Sequence, residues 1–275
     1  MFLNFNGEVR EEGVALLRAD NRGFRYGDGL FETMLVRQGK VRLGGHHFER
    51  LVGGMGLLRM AFPRPFGLDM LEGQIGELCA RNGHIGDCRA RLTVFRSGGG
   101  LYNAPEPDAD YCIQVGALGN VGWRDAGLVL DVFPDGRKAC DVFSGIKSNN
   151  YLLSTQAGMF AVERRLDDSV LLNSYGRLAE TTVANIWWVR EGRVYTPPLS
   201  EGCVAGVMRR YLLEMLPAAG YSVGEVSIGQ DGLAAADEVF ITNAIRGIQW
   251  VRNFRGSRFG CRIAATIHEE IISKI

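Results

Sequence analysis

The chain has 275 residues, 46% hydrophobic and 23% charged, which suits a folded globular protein large enough for two domains. Its 31 basic and 31 acidic side chains cancel and the pI is near 6.9, so neither a nucleic-acid footprint nor attraction to an anionic membrane is implied. No stretch reaches the roughly 18 apolar residues of a membrane helix, Met1-Phe-Leu-Asn-Phe-Asn-Gly-Glu8 has no basic leader, and Cys79, Cys88, Cys112, Cys140, Cys203 and Cys261 show neither C-x-x-C spacing nor a histidine pair. A cytoplasmic protein with reduced thiols and no metal is expected.

In chain order, alternating and apolar runs predict strands over residues 1–5, 29–36, 89–95 and 111–115, with helical periodicity over 46–58 and 68–82. That is an α/β unit. Gly27 and Gly29 around Asp28 read as a turn with close backbone approach, because the third glycine and strand context of a dinucleotide loop are missing. His46 and His47 are adjacent, so on a helix they point about 100° apart and cannot pair on a metal; His47 reads as packing at the helix start. Gly98 to Gly100 could form a loop over a site or a plain turn. Gly119-Asn-Val-Gly-Trp-Arg-Asp125 is a glycine-bearing linker. Many strands follow, with helices over 150–165, 206–219 and 264–275. Trp187 and Trp188 should lie on opposite faces of a strand, one in the core and the other lining a cleft or interface.

Three segments carry chemistry. In Ser144-Gly-Ile-Lys-Ser-Asn-Asn-Tyr151, Lys147 is the only lysine between Lys138 and Lys274 and stands between a strand-like segment and a helix start. An imine-forming lysine must be partly desolvated, because only the neutral amine is nucleophilic; a lone lysine is otherwise surface charge. In Gly176-Arg-Leu-Ala-Glu-Thr-Thr-Val-Ala-Asn-Ile186, Glu180 follows a hairpin-like segment and precedes a strand-like run over 181–189, at a strand edge facing a cleft or solvent. In Leu199-Ser-Glu-Gly-Cys-Val-Ala-Gly-Val-Met-Arg209, a glycine loop runs into an amphipathic helix, whose first N–H groups suit a phosphate.

Together with Asn21-Arg-Gly-Phe-Arg-Tyr-Gly-Asp-Gly-Leu-Phe-Glu-Thr33, His47-Phe-Glu-Arg-Leu51, Thr196-Pro-Pro-Leu-Ser200 and Phe240-Ile-Thr-Asn-Ala244, these segments resemble the class IV aminotransferases, pyridoxal-phosphate enzymes of fold type IV. The resemblance implies an α/β (α+β) fold: a small N-terminal α/β domain (1–118), a linker (119–125) and a larger C-terminal pseudo-barrel (126–275) carrying the lysine. It also implies a homodimer with the site near the interface. Lys147 would bear the Schiff base to pyridoxal 5′-phosphate and shuttle the proton at Cα, while Glu180 would keep the pyridine nitrogen protonated. Arg50, the N–H groups of Val207 and Met208, and Thr242 with Asn243 would hold the phosphate. Asn150 matches a K-x-x-N pattern and would orient the lysine loop.

The resemblance divides on substrate. Branched-chain aminotransferases show G-G-N-Y after the lysine and an arginine-proline run, whereas Lys147 is followed by Ser-Asn-Asn-Tyr. D-Amino-acid aminotransferases place tyrosine where Phe31 stands and an R-x-H pair where Arg96-Ser-Gly-Gly-Gly-Leu-Tyr102 lies. Aminodeoxychorismate lyases read R-G-S-G-G-R-G-Y there, with a second arginine absent from this chain, yet Thr242-Asn-Ala-Ile-Arg-Gly-Ile-Gln-Trp-Val251 resembles the lyase form. Arg246 ranks first to pair a substrate carboxylate, ahead of Arg96, Arg137 and Arg25, with Phe31 and Ala244 beside the substrate. Amino transfer between a small amino acid and a 2-keto acid is the reading reached, with the lyase, forming 4-aminobenzoate and pyruvate, as the alternative. An inactive cofactor-binding protein is a third class, against which Lys147, Glu180 and Arg50 all speak.

Overall fold

The computed structural model describes residues 1–84, 86–103, 107–119 and 121–275. The chain divides into two compact units, one of residues 1–121 with 146–150, the other of 122–145 with 151–275. Asn120, in the expected linker, lies outside the described residues.

The first unit contains β1 (Phe2–Phe5), β2 (Glu8–Glu11), α1 (Arg22–Tyr26), β3 (Gly29–Arg37), β4 (Lys40–Val41), α2 (Gly44–Leu57), α3 (Leu68–Arg81), β5 (Cys88–Arg96) and β6 (Ala109–Ala117). The strands form one sheet in the order β2-β1-β6-β5-β3-β4. Side chains alternate across a strand. Leu30, Met34 and Val36 of β3 with Ala90, Leu92 and Val94 of β5 therefore share one face, which packs on Leu51 and Met55 of α2 and Leu71, Ile75 and Leu78 of α3. Phe31 and Arg91 belong to the other face.

Residues 146–150 extend this sheet. The Phe31 N–H donates to the Lys147 carbonyl at 2.9 Å and the Asn149 N–H to the Gly29 carbonyl at 2.9 Å, an antiparallel pairing of Leu30 with Ser148. The lysine segment thus packs with the N-terminal unit, whereas it was expected within the C-terminal domain. The reason is backbone pairing: the first half of β3 takes the segment as a neighbouring strand. Close approach demands glycine at 29, where a Cβ would stand 2.5 Å from Asn149 Nδ2 and 2.6 Å from the Val94 carbonyl oxygen.

The second unit contains β7 (Leu128–Val132), α4 (Leu152–Glu163), β8 (Asp168–Leu172), β9 (Leu178–Thr181), β10 (Asn185–Arg190), β11 (Arg193–Thr196), α5 (Val207–Ala218), β12 (Val223–Glu225), α6 (Gln230–Ala234), β13 (Glu238–Asn243), β14 (Gly247–Phe254), β15 (Ser257–Arg258) and α7 (Arg262–Glu270). Its sheet runs β12-β11-β10-β13-β14-β7-β8-β9, with β15 on β14, and curls so that β9 also meets β10. The core holds Leu130, Val170, Leu178, Ile186, Trp188, Val239 and Phe254.

Two local expectations change. The run over 181–189 is broken between β9 and β10, because the buried Asp168 carboxylate accepts from the Thr182 N–H at 3.2 Å and the Thr182 hydroxyl at 2.5 Å. Burial pushes the Asp168 carboxyl up, against these bonds. Trp187 and Trp188 do face opposite ways, yet both are buried: Trp188 joins the core with Tyr195, and Trp187 stacks on Phe240. The six cysteines are free thiols. Among the described residues no helix is long and apolar enough to cross a membrane.

Replacing Gly29 by alanine should force the lysine segment off β3. An expected loss of about 1–3 kcal/mol in unfolding free energy is measurable by urea denaturation, and an unchanged midpoint would contradict the close packing.

Candidate active site

In the first unit the antiparallel pairing puts Lys147 on the face of Phe31, and Ile146 and Ser148 on the core face. Lys147 Nζ stands 4.5 Å from the Phe31 ring centroid, and the Arg91 guanidinium 3.9 Å from it. Phe31 is buried and Lys147 half-buried. A cation over an aromatic face gains about 0.5–2 kcal/mol, more as water is excluded. The ring therefore gives the amine a preferred place. Arg91 escaped sequence reading because it occupies an ordinary alternating strand; its parity with Arg89 and Thr93, opposite the apolar positions 90, 92 and 94, was the available signal.

On the core face Glu32, His47 and Arg50 form a chain. His47 Nδ1 lies 2.6 Å from Glu32 Oε2, and Arg50 Nε donates to Glu32 Oε1 at 2.8 Å while its terminal nitrogen bonds Oε2. His47 packs at the start of α2, as expected. Burial alone would raise the Glu32 carboxyl, but the Arg50 charge and the His47 and Arg50 hydrogen bonds outweigh it and hold it at about 2. Burial lowers His47, against its bond to Glu32. Arg50 is thus oriented by a charged carboxylate that takes its Nε and one terminal nitrogen.

In the second unit Glu180 is buried, not at an exposed edge. Its Oε2 accepts the Val204 N–H at 2.9 Å and its Oε1 the Lys138 ammonium at 2.6 Å. Lys138 was not singled out, since nothing local to it announces a partner 42 residues away. Beyond Val204 the chain is stapled again, with Asn185 Nδ2 donating to the Val204 carbonyl at 2.8 Å. Cys203, in the same turn, is a buried thiol pushed up to about 12, burial being the main cause.

The helix α5 begins directly after this turn. Gly206 is its cap, no side chain caps it, and a Cβ at Gly206 would run into Asn185 Oδ1. The start of α5, with Val207 and Met208, therefore presents backbone donors and the positive end of the helix dipole. Asn185 pairs with Thr242 across β10 and β13, so Thr242 belongs to the same region. Asn243 uses its Oδ1 to accept the N–H groups of Ile245 at 3.1 Å and Arg246 at 2.8 Å, closing the turn between β13 and β14.

The expected carboxylate partners separate. Arg96 is buried and gives its donors to Asp28 at 2.8 Å and to the Leu58 carbonyl at 2.8 Å, an internal ion pair in place of the substrate role expected for it. Arg137 and Arg25 are exposed and donate to nearby carbonyls. Arg246 is exposed in the turn after Asn243, and Ala244 beside it is half-buried.

Residues 29–254 match the profile of the family described as amino-transferase class IV. The chain is 29% identical over 234 residues to an aminodeoxychorismate lyase from Vibrio harveyi, with 83% of each chain covered. It is also 29% identical over 249 residues to a putative branched-chain-amino-acid aminotransferase from Methanocaldococcus jannaschii, covering 88% of this chain and 84% of that one. Its fold resembles the crystal structure of a branched-chain aminotransferase from Thermoproteus uzoniensis with norvaline at a TM-score of 0.89 and 25% identity, over 98% and 92% of the two chains.

The Glu32 cluster makes a pH-dependent prediction. A carboxyl held below its ordinary value of 4.5 contributes stability that is present above that value and lost as the pH falls through about 2. Glu32→Gln should cost about 3 kcal/mol or more near neutral pH by stranding Arg50, and the gap to the parent should narrow between about pH 4.5 and 2. Urea unfolding across that range measures it, and a gap constant with pH would contradict the ion pair.

Proposed function

The chain belongs to the class IV aminotransferase family, and from that premise we propose that it binds pyridoxal 5′-phosphate at Lys147 and transfers an amino group between a small amino acid and a 2-keto acid. The observation that carries this reading is the fixed place of Lys147 on β3, with its amine against the Phe31 ring.

The donor set fits the cofactor. In the first unit Arg50 is an oriented guanidinium; in the second the glycine-capped start of α5 at Val207 and Met208 offers N–H groups and Thr242 and Asn243 add side-chain donors; each is a type of donor that suits a phosphate. Glu180, its carboxylate fixed by Val204 and Lys138, suits a protonated ring nitrogen. When bound, pyridoxal phosphate supplies an electron sink for the pair left at the substrate Cα. Lys147 Nζ, as the neutral amine, would be the base that takes the Cα proton and, once protonated, the acid that gives it back at the cofactor side of the bond. Glu180 holds the proton at the ring nitrogen, and Lys138 keeps Glu180 from turning away. Phe31 limits the swing of the lysine amine. Arg246 of the second unit is proposed to pair the substrate carboxylate, with Arg91 of the first unit as a further candidate and Phe31 and Ala244 as residues bordering the substrate.

A second reading, aminodeoxychorismate lyase, is supported by the Vibrio harveyi relative and by the Thr242-Asn-Ala sequence. A cytoplasmic homodimer is part of the proposal. Free thiols support the compartment, and an outward apolar stripe on α4, with Leu152, Met159 and Val162 all more than half exposed, supports self-association.

The test is product analysis. Given single amino acids of either hand with a 2-keto acid, the protein should exchange the amino group with at least one, and Lys147→Ala should lower turnover at least about a thousandfold. Pyruvate released from aminodeoxychorismate, with no amino transfer, would establish the lyase instead. Turnover of Lys147→Ala at the parent rate would overturn both.

A further inference from the structure

We propose that Trp187 is a positioning residue: its indole N–H sets the Thr242 hydroxyl so that the hydroxyl proton is presented to the cofactor phosphate. The proposal rests on the reading that Thr242 meets that phosphate.

The strands β10 and β13 run antiparallel with Asn185 opposite Thr242 and Trp187 opposite Phe240. All four side chains therefore lie on one face of the sheet. Trp187 stacks on Phe240 with centroids 5.8 Å apart and planes 6° apart, and the same indole reaches diagonally to Thr242, its Nε1 lying 2.9 Å from Oγ1. Trp187 is fully buried and Thr242 is 2% exposed.

The chemistry of this contact has one direction. An indole nitrogen only donates, whereas a hydroxyl has one proton and two acceptor sites. Thr242 must accept from Trp187, so its own proton is left for another acceptor. Among the described residues the Thr242 hydroxyl has no other hydrogen bond. A buried donor without an acceptor is costly, and this one stands where an anion is expected. Asn185, opposite Thr242, touches Gly206 at the cap of α5, and α5 packs on β13. The indole thus removes the alternative in which the hydroxyl would rotate and spend its proton elsewhere. A phenylalanine at 187 could keep the stack but not the direction.

The experiment compares two probes, pyridoxal 5′-phosphate and pyridoxal, which lacks the phosphate. Equilibrium affinities are measured for the parent, Trp187→Phe, Thr242→Val and the double variant. Trp187→Phe should weaken pyridoxal phosphate about three- to tenfold, the range of one neutral hydrogen bond, leave pyridoxal unchanged, and add nothing in the Thr242→Val background. Equal weakening of both probes, or no weakening where Thr242→Val has one, would overturn the positioning role while leaving the cofactor reading intact. A parent that binds neither probe would remove the functional reading itself. A second measurement leaves Trp187 in place: inorganic phosphate should shift the Trp187 indole N–H resonance in the parent and not in Thr242→Val, and identical shifts in both would also overturn the proposal.

Discussion

The pairing of residues 147–149 with the first half of β3 is the constraint on which the chemistry of the first unit depends. Two backbone hydrogen bonds fix the parity of the segment, and parity fixes which side chain faces where. A slip of one residue would turn Lys147 to the helical core and bring Ser148 over Phe31. Gly29 permits the approach, because a side chain there would meet both Asn149 and the Val94 carbonyl. Phe31 then gives the amine an apolar, polarisable surface that favours one position.

In the second unit the governing cost is that of burying polar groups. Glu180 is nearly inaccessible, so its carboxylate is tolerated only with Lys138 and the Val204 N–H to pair it. The turn that supplies the Val204 N–H is also held by Asn185 of β10, which donates to the Val204 carbonyl, and it ends in Gly206, which leaves α5 without a side-chain cap. One short stretch of chain therefore fixes a carboxylate and opens a helix start. Asp168 contributes from below by breaking the strand run after Thr181, which lets β9 and β10 occupy separate places in the curled sheet.

Candidate residues gathered in short segments stand out in the sequence. The lysine loop, Glu180 and the glycine before α5 each announce themselves within ten residues, and α2 and α3 follow their apolar periodicity closely. Partners brought together by strand pairing were not legible. Trp187 and Thr242 are 55 positions apart, and Arg96 meets Asp28 across 68. Without the register, Arg96 reads as an available cation when its donors are already engaged. Alternation correctly put Trp187 and Trp188 on opposite faces, but it could not tell that both faces of β10 are covered. Nor could local pattern tell that the lysine loop, lying beyond the linker, returns to the first sheet.

The central claim is that Lys147, and no other amine, carries the cofactor. Lys138 is the natural rival, since it lies against Glu180 at 2.6 Å. The most direct measurement is borohydride reduction of the protein mixed with pyridoxal 5′-phosphate, followed by peptide mass mapping. A single reduced adduct on Lys147 is the expected result. An adduct on Lys138, or none on Lys147, would contradict the account.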